Sequence, residues 1–144
     1  MLWRAFVTIG VAALLAAADL FHKTTSVTPP WGYHMRSGAW LALTTVVILV
    51  CLLLVRVPSW GIAAAAGVLA GGAAGNALSA VSSTEGVPNP IVVGLSNLMI
   101  AFNLADVFTL AGILLLTSLL VVVTIDHRER LEAARAAWRN ARRG

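Results

Sequence analysis

The chain has 144 residues, of which 59% are hydrophobic and only 11% are charged, and its mean hydropathy is +0.88. This composition excludes an ordinary soluble domain and is typical of a protein that lies mostly in lipid. The formal charge of +4 is uneven, because six of the ten Lys and Arg residues lie within residues 128–143. A basic cluster at one end of an apolar chain indicates contact with membrane lipid, and we expect no nucleic-acid partner.

The first transmembrane helix is predicted over residues 2–21, because 20 residues at about 1.5 Å each cross a hydrocarbon core of about 30 Å. Three alanines before Asp19 leave a cleaved signal peptide as the alternative. Asp19 and Lys23 have i,i+4 spacing, which predicts an ion pair on a helix that continues past the alanines and favours the membrane span. Residues 22–38, which contain a Pro-Pro pair, are predicted to form an external loop.

Three further spans complete a predicted bundle of four transmembrane helices. The second covers residues 39–55 and the third residues 61–79, with a short turn that makes them antiparallel. A second external loop rich in Ser, Pro, Gly and Asn is predicted over residues 81–96, and an apolar run at 100–125 forms the fourth span. In the third span, glycines recur at every fourth residue, at Gly67, Gly71 and Gly75. Such a glycine face lets another helix approach closely, and we favour packing within this chain over dimerisation.

The predicted fold is therefore an all-α membrane protein with a four-helix transmembrane domain at residues 1–125 and a basic tail at 126–144. Both termini are predicted to be cytoplasmic, because eight basic residues fall on that side and two on the other. In the tail, Leu131 and Trp138 are seven residues apart, and arginines repeat at the same interval on another stripe, at Arg128, Arg135 and Arg142. This pattern predicts an amphipathic helix on the cytoplasmic membrane face, with a plain solubilising tail as the alternative.

The candidate site begins with Asp106, a carboxylate inside an apolar run. Ionisable residues are expensive in a membrane and usually functional. Asn103 lies three residues earlier, so both are expected on one helix face, with Asn103 or Asn76 hydrogen-bonded to Asp106. The alternative is that the pair only joins this helix to its neighbours. The topology places five polar residues at one depth beside a groove between the third and fourth helices: Asp19, Asn76, Ser79, Asn103 and Asp106.

Two stretches carry a family resemblance: GGAAGNAL at residues 71–78 and FNLAD at 102–106. They resemble the GGxxGNxxDR and FNxAD stretches of the bacterial lipoprotein signal peptidases, or signal peptidase II, which are four-helix aspartyl proteases. Asp19 and Lys23 resemble the ends of that family's DQxxK box. The resemblance implies a multi-pass protein of the bacterial plasma membrane. It also implies that a lipoprotein signal peptide binds at residues that include Asp19, Lys23, Arg36, Asn76 and Asn103.

The departures from the family pattern fall at catalytic positions. Ser79 stands where the family has its other catalytic aspartate, so Asp106 is left as the one family-equivalent acid. Arg36 stands where the family has an asparagine, and Asn89 replaces the aspartate of a later box. Aspartyl proteolysis needs two carboxylates close enough to share a proton and activate one water. The resemblance therefore implies an incomplete dyad, which leaves enzymatic activity an open question.

Two substitutes for the missing acid are disfavoured. A Ser79–Lys23 dyad is conceivable, but Lys23 is expected to be solvated in an external turn. Glu85 could supply a carboxylate, but its loop position predicts exposure. A carboxylate introduced at residue 79 is expected to point toward Asn103 and Asp106.

The three histidines lack metal-ligand spacing, and no metal or other cofactor is expected.

Three functions remain open from the sequence. The favoured one is a non-catalytic relative of signal peptidase II that binds a lipoprotein, a lipid or a partner transmembrane helix in its groove. The second is an active, divergent lipoprotein signal peptidase with an unrecognised second acid. The third is a scaffold subunit of a larger membrane complex.

Overall fold

A computed structural model describes residues 1–95 and 98–141, and helices dominate these residues. Helix α1 spans Leu2–Thr25, α2 spans Gly38–Leu53, α3 spans Trp60–Ser82 and α4 spans Leu104–Ala141. Within the described residues, each of these four helices is long and apolar enough to cross a membrane, α2 doing so together with the 3-10 turn that continues it to Arg56. The prediction of a four-helix membrane protein is confirmed for the number, length and apolar composition of the helices. Which end faces the cytoplasm stays a prediction from the charge bias.

Helix α3 lies at the centre of the bundle, and most of its side chains are buried. Its glycines allow α1 to approach closely: a Cβ on Gly67 would lie 2.8 Å from the carbonyl oxygen of Thr8, and one on Gly71 would lie 2.9 Å from that of Ala12. The prediction that this glycine face packs within the chain is confirmed. The pairing also shows that α1 and α3 run in the same direction.

Helix α4 packs antiparallel on another side of α3. Gly72 of α3 lies beside Ala105 near the start of α4, whereas Leu69, earlier in α3, lies beside Gly112, later in α4. The bundle therefore has two distinct ends. At the basic end, α1 and α3 begin and α2 finishes in a short 3-10 turn, Leu54–Arg56. At the loop end, α1 and α3 finish and α4 begins.

The apolar core lies between α2, α3 and α4. Cys51 is 1% exposed and packs in one cluster with Ile62, Ala66, Leu69 and Leu116. A buried free cysteine of this kind packs as a small apolar residue. Because this core is built largely of small residues on α3, helix separation is set by backbone approach as much as by side-chain volume.

The loops contain strands, so the all-α prediction is wrong there. Strand β1, Tyr33–His34, pairs antiparallel with β2, Val87–Pro88, and joins the two loops. Strands β3, Ile91–Leu95, and β4, Leu98–Phe102, form an antiparallel pair. The fourth apolar run, predicted to be helical from residue 100, therefore begins as a strand. Short runs rich in β-branched and apolar residues suit a strand as well as a buried helix, and periodicity alone does not separate them.

Helix α4 continues without interruption into the tail. The helical prediction is confirmed for residues 126–141, where exposed pairs such as Arg128–Glu132, at 2.9 Å, have the i,i+4 spacing that supports a solvated helix. Placement of this segment on a membrane face stays a prediction. Arg142 of the predicted basic stripe, Arg143 of the predicted basic tail and Ser96 of the predicted second loop lie outside the described residues.

Candidate functional site

A buried ion pair on α1 is hydrogen-bonded to α3 at the loop end. Lys23 Nζ lies 2.6 Å from Asp19 Oδ2, and the two side chains are 3% and 0% exposed. Lys23 also donates to Asn76 Oδ1 at 2.9 Å and to Ser79 Oγ at 3.1 Å. An ammonium has three N–H groups, and these three oxygens satisfy it within the protein. The predicted Asp19–Lys23 pair is confirmed, but the expected solvation of Lys23 is wrong, because α1 continues through Thr25 and holds Lys23 against α3.

Asp19 also connects α1 to the start of α4. Its Oδ1 accepts the backbone N–H of Ala105 at 2.8 Å. The first N–H groups of a helix have no partner inside the helix, and a carboxylate there is stabilised by the helix dipole. Gly75 makes room for this carboxylate, since a Cβ at residue 75 would lie 2.7 Å from Asp19 Oδ2. Asp19 thus bonds directly to α4 through Ala105 and is linked to α3 through Lys23.

Asn103 and Asp106 form a reciprocal cap at the start of α4. Asn103 Oδ1 accepts the backbone N–H of Asp106 at 3.0 Å, and Asp106 Oδ2 accepts that of Asn103 at 3.2 Å. This is the geometry of a capping box. The expectation that both residues lie on one helix face is therefore wrong, because Asn103 precedes the helix. The expected bond to Asp106 is present, since Asn76 Nδ2 donates to Asp106 Oδ1 at 2.8 Å.

The cap is anchored to both loops through two residues that sequence reasoning gave no site role. Asn103 Nδ2 donates to Asn89 Oδ1, and Asn89 Nδ2 donates to His34 Nδ1. Asn89 and Asn103 are 2% and 0% exposed. In the sequence, Asn89 is distinguished only as a departure from the family pattern. His34 is 55 residues away from it along the chain. No local sequence signal links the two residues, because the β1–β2 pairing brings them together.

The two carboxylates of the cluster are separated by neutral and cationic groups. Hydrogen bonds and the ion pair run in order from Asp106 through Asn76 and Lys23 to Asp19. The carboxylates therefore share no hydrogen bond, and Lys23 neutralises one of them. This differs from the direct contact that an aspartyl protease needs to split the pKa values of its two acids.

Ser79 is held in a structural arrangement. Its hydroxyl donates to the Gly75 carbonyl at 2.9 Å while its Oγ accepts from Lys23. A Lys that is ion-paired and donating cannot take the serine proton, so this geometry does not activate Ser79 as a nucleophile. The expectation that residue 79 points toward Asp106 is wrong, because its side chain contacts α1. Glu85 is exposed, as expected.

A groove opens on the far side of this cluster, between α2, α3 and α4. Its volume is about 280 Å³. Asn76 and Asp106 stand at its loop end together with Arg36, whose guanidinium lies 4.9 Å from the ring centre of Trp40. Deeper in the bundle the lining is apolar and includes Leu43, Val47, Leu69 and Ile113.

The groove separates the predicted site residues into two sets. Arg36, Asn76 and Asp106 line it. Lys23 and Ser79 instead border a smaller pocket of about 180 Å³. Asp19 and Asn103 are fully buried behind the groove, where they position α4. The sequence placed the groove between the third and fourth helices, and the structure adds α2 as its third wall.

Comparisons of the chain with protein-family models, with curated proteins and with solved structures found no match.

Within residues 1–95 and 98–141, no group of three His, Cys, Asp or Glu side chains is placed to hold a metal ion. What the arrangement offers chemically is therefore one carboxylate and one guanidinium at the mouth of an apolar groove.

Asp106→Asn tests whether this carboxylate is a helix cap. Asp106 accepts from two donors, and an amide would turn its NH₂ group toward one of them. We expect the variant to lose about 1–2 kcal/mol of unfolding free energy. Asp126→Asn, at an exposed residue paired with Arg130, should lose less than about 0.5 kcal/mol. Thermal unfolding in detergent measures both, and equal losses would contradict the capping role.

Proposed function

We propose that this chain is a non-catalytic membrane protein with the architecture of the bacterial lipoprotein signal peptidases, located in the bacterial plasma membrane. It binds a lipoprotein signal peptide in the groove between α2, α3 and α4. The observation that carries this proposal is the amphipathic lining of the groove: a polar mouth at Arg36, Asn76 and Asp106 above an apolar interior.

The shape of the groove supports an extended ligand. Asp106 and Ile113 are seven residues apart on α4, which corresponds to a depth of about 10 Å along the helix. A whole helix is about 10 Å wide and does not fit into about 280 Å³. An acyl chain or a few residues of extended peptide fits this volume, with a polar group at the mouth. This supports a lipid-modified peptide over a partner transmembrane helix as the occupant.

The absence of cleavage follows from the partners of the two acids. Asp106 is bonded to Asn76 and to the α4 backbone, and Asp19 is bonded to Lys23 and to Ala105. Neither carboxylate is placed to share a proton and a water with the other. An active divergent peptidase would need a second acid at the groove mouth, and the described residues lining the groove include Asp106 as their one carboxylate.

A cleavage assay tests this proposal. Wild-type protein and Ser79→Asp are incubated in detergent with a diacylated lipoprotein precursor, and the mature product is followed by gel. We expect no product from either. A carboxylate at residue 79 would meet Lys23, whose Nζ lies 3.1 Å from Ser79 Oγ, and would form an ion pair there instead of a dyad with Asp106. Product from the wild type that disappears in Asp106→Asn would establish an enzyme.

Binding needs a separate measurement. A photoreactive amino acid at Val47, inside the groove, should crosslink to the same precursor in detergent. The same group at Leu14, which is 69% exposed on α1 and outside the groove, is the control and should crosslink far less. Equal crosslinking from the two positions would contradict the groove as the binding site.

A further inference from the structure

A second groove lies at the basic end of the bundle, between the start of α1 and the end of α2. Its volume is about 560 Å³. Leu2 and Ala5 form one side, and the other side includes Leu49, Leu52 and Leu53. Arg56 completes the lining. This groove takes no part in the Asp106 site, which is at the opposite end of α2 and α3.

The two arginines nearest this groove, Arg4 and Arg56, have no carboxylate partner among the described residues. The Arg56 side chain is exposed and has no hydrogen bond or ion pair with any described residue. Arg4, next to Ala5, has a buried Nε that lacks a hydrogen-bond partner within residues 1–95 and 98–141. The sequence explains this, because it contains no Asp or Glu between Asp19 and Glu85. Asp126, which lies near Val57 at this end, is paired with Arg130, so an anion from outside the chain could serve as the partner of Arg56.

We infer that this groove binds one anionic phospholipid, with an acyl chain against the leucines and the phosphate on Arg56. A guanidinium recognises phosphate oxygens through paired N–H groups. Apart from Arg56, the described lining contributes apolar side chains, which suits a hydrocarbon chain. A peptide would bring backbone N–H and C=O groups that this lining cannot satisfy. Charge and lining together therefore favour a lipid over a peptide as the occupant.

The test uses the full-length protein in detergent, with phosphatidylglycerol as the anionic probe and phosphatidylcholine as the zwitterionic probe. Native mass spectrometry measures the affinity of each. Arg56→Gln should weaken phosphatidylglycerol binding about tenfold, as expected for loss of one charge-assisted contact, and should leave phosphatidylcholine binding unchanged. Arg128→Gln is the matched control. Arg128 lies in the tail predicted to contact membrane lipid, but it is exposed and already paired with Glu132, so its loss should weaken phosphatidylglycerol binding far less than Arg56→Gln does.

Filling the groove tests the acyl-chain half of the inference. Ala5→Trp should also lower phosphatidylglycerol binding, whereas Ala39→Trp, at an exposed residue near the opposite end of α2, should not. Both variants and Arg56→Gln change half-exposed or exposed residues, so elution as folded protein is expected for all. Equal effects of Arg56→Gln and Arg128→Gln, equal wild-type affinity for the two lipids, or no effect of Ala5→Trp would each overturn the inference.

Discussion

Asp19→Ala is expected to lower the unfolding free energy by about 3–5 kcal/mol, because it leaves the Lys23 ammonium buried without its carboxylate. The Lys23 side chain is 3% exposed and also donates to Asn76 and Ser79, which are neutral and cannot replace the lost charge. The same change removes the acceptor of the Ala105 backbone N–H at the start of α4. Both losses fall at the junction of α1, α3 and α4, so the loop end should loosen first.

A matched pair in the same chain provides the control. Arg128 and Glu132 have the same i,i+4 spacing as Asp19 and Lys23, but their side chains are 80% and 60% exposed. Glu132→Ala should cost less than about 0.5 kcal/mol. The two variants are compared by thermal unfolding in detergent. The combined variant Asp19→Leu/Lys23→Met, which removes both charges, should recover part of the lost stability. Similar melting temperatures for Asp19→Ala and Glu132→Ala would refute the structural importance of the buried pair.

The helices were predictable because length and apolar composition nearly determine a membrane span. The Asp19–Lys23 pair was also predictable from its spacing, but its burial was not. That burial depends on α3, where Gly75 leaves room for the carboxylate and Asn76 and Ser79 receive the ammonium. The sequence pattern predicts a packing role for Gly75. Its second use, to admit a charged side chain, depends on the register between two helices.

The start of α4 was misplaced although the sequence contains a start signal. Asn103 and Asp106 have capping-box spacing and precede a long apolar run. The signal was obscured because residues 98–102 are also apolar and extend the run toward the N-terminus. Those residues form β4 because they pair with β3. The local sequence does not determine this pairing, which depends on contacts between segments. The capping pair therefore marks the start of α4 more closely than the hydropathy pattern does.

The sequence predicts that α3 and α4 are neighbours but not that their backbones touch, and this contact leads to the second large prediction. The glycines at every fourth residue mark the α1 face of α3 and do not include Gly72. A Cβ at Gly72 would lie 2.6 Å from the carbonyl oxygen of Ala105 and 2.6 Å from the backbone nitrogen of Thr109. On the other helix, a Cβ at Gly112 would lie 2.5 Å from the backbone nitrogen of Leu69. The two helices therefore meet through backbone atoms at both places.

Gly72→Ala should destabilise the protein by about 3 kcal/mol, at the upper end of ordinary overpacking, because backbone atoms cannot rotate away from the added methyl group. Gly10→Ala is the control, since a Cβ there has no atom within 4 Å, and it should be neutral or stabilising by up to about 1 kcal/mol. Thermal unfolding in detergent compares them. Displacement of α4 should also weaken the bond from Asn76 to Asp106 and reduce crosslinking from Val47. A Gly72→Ala protein as stable as Gly10→Ala would show that α3 and α4 are not in backbone contact.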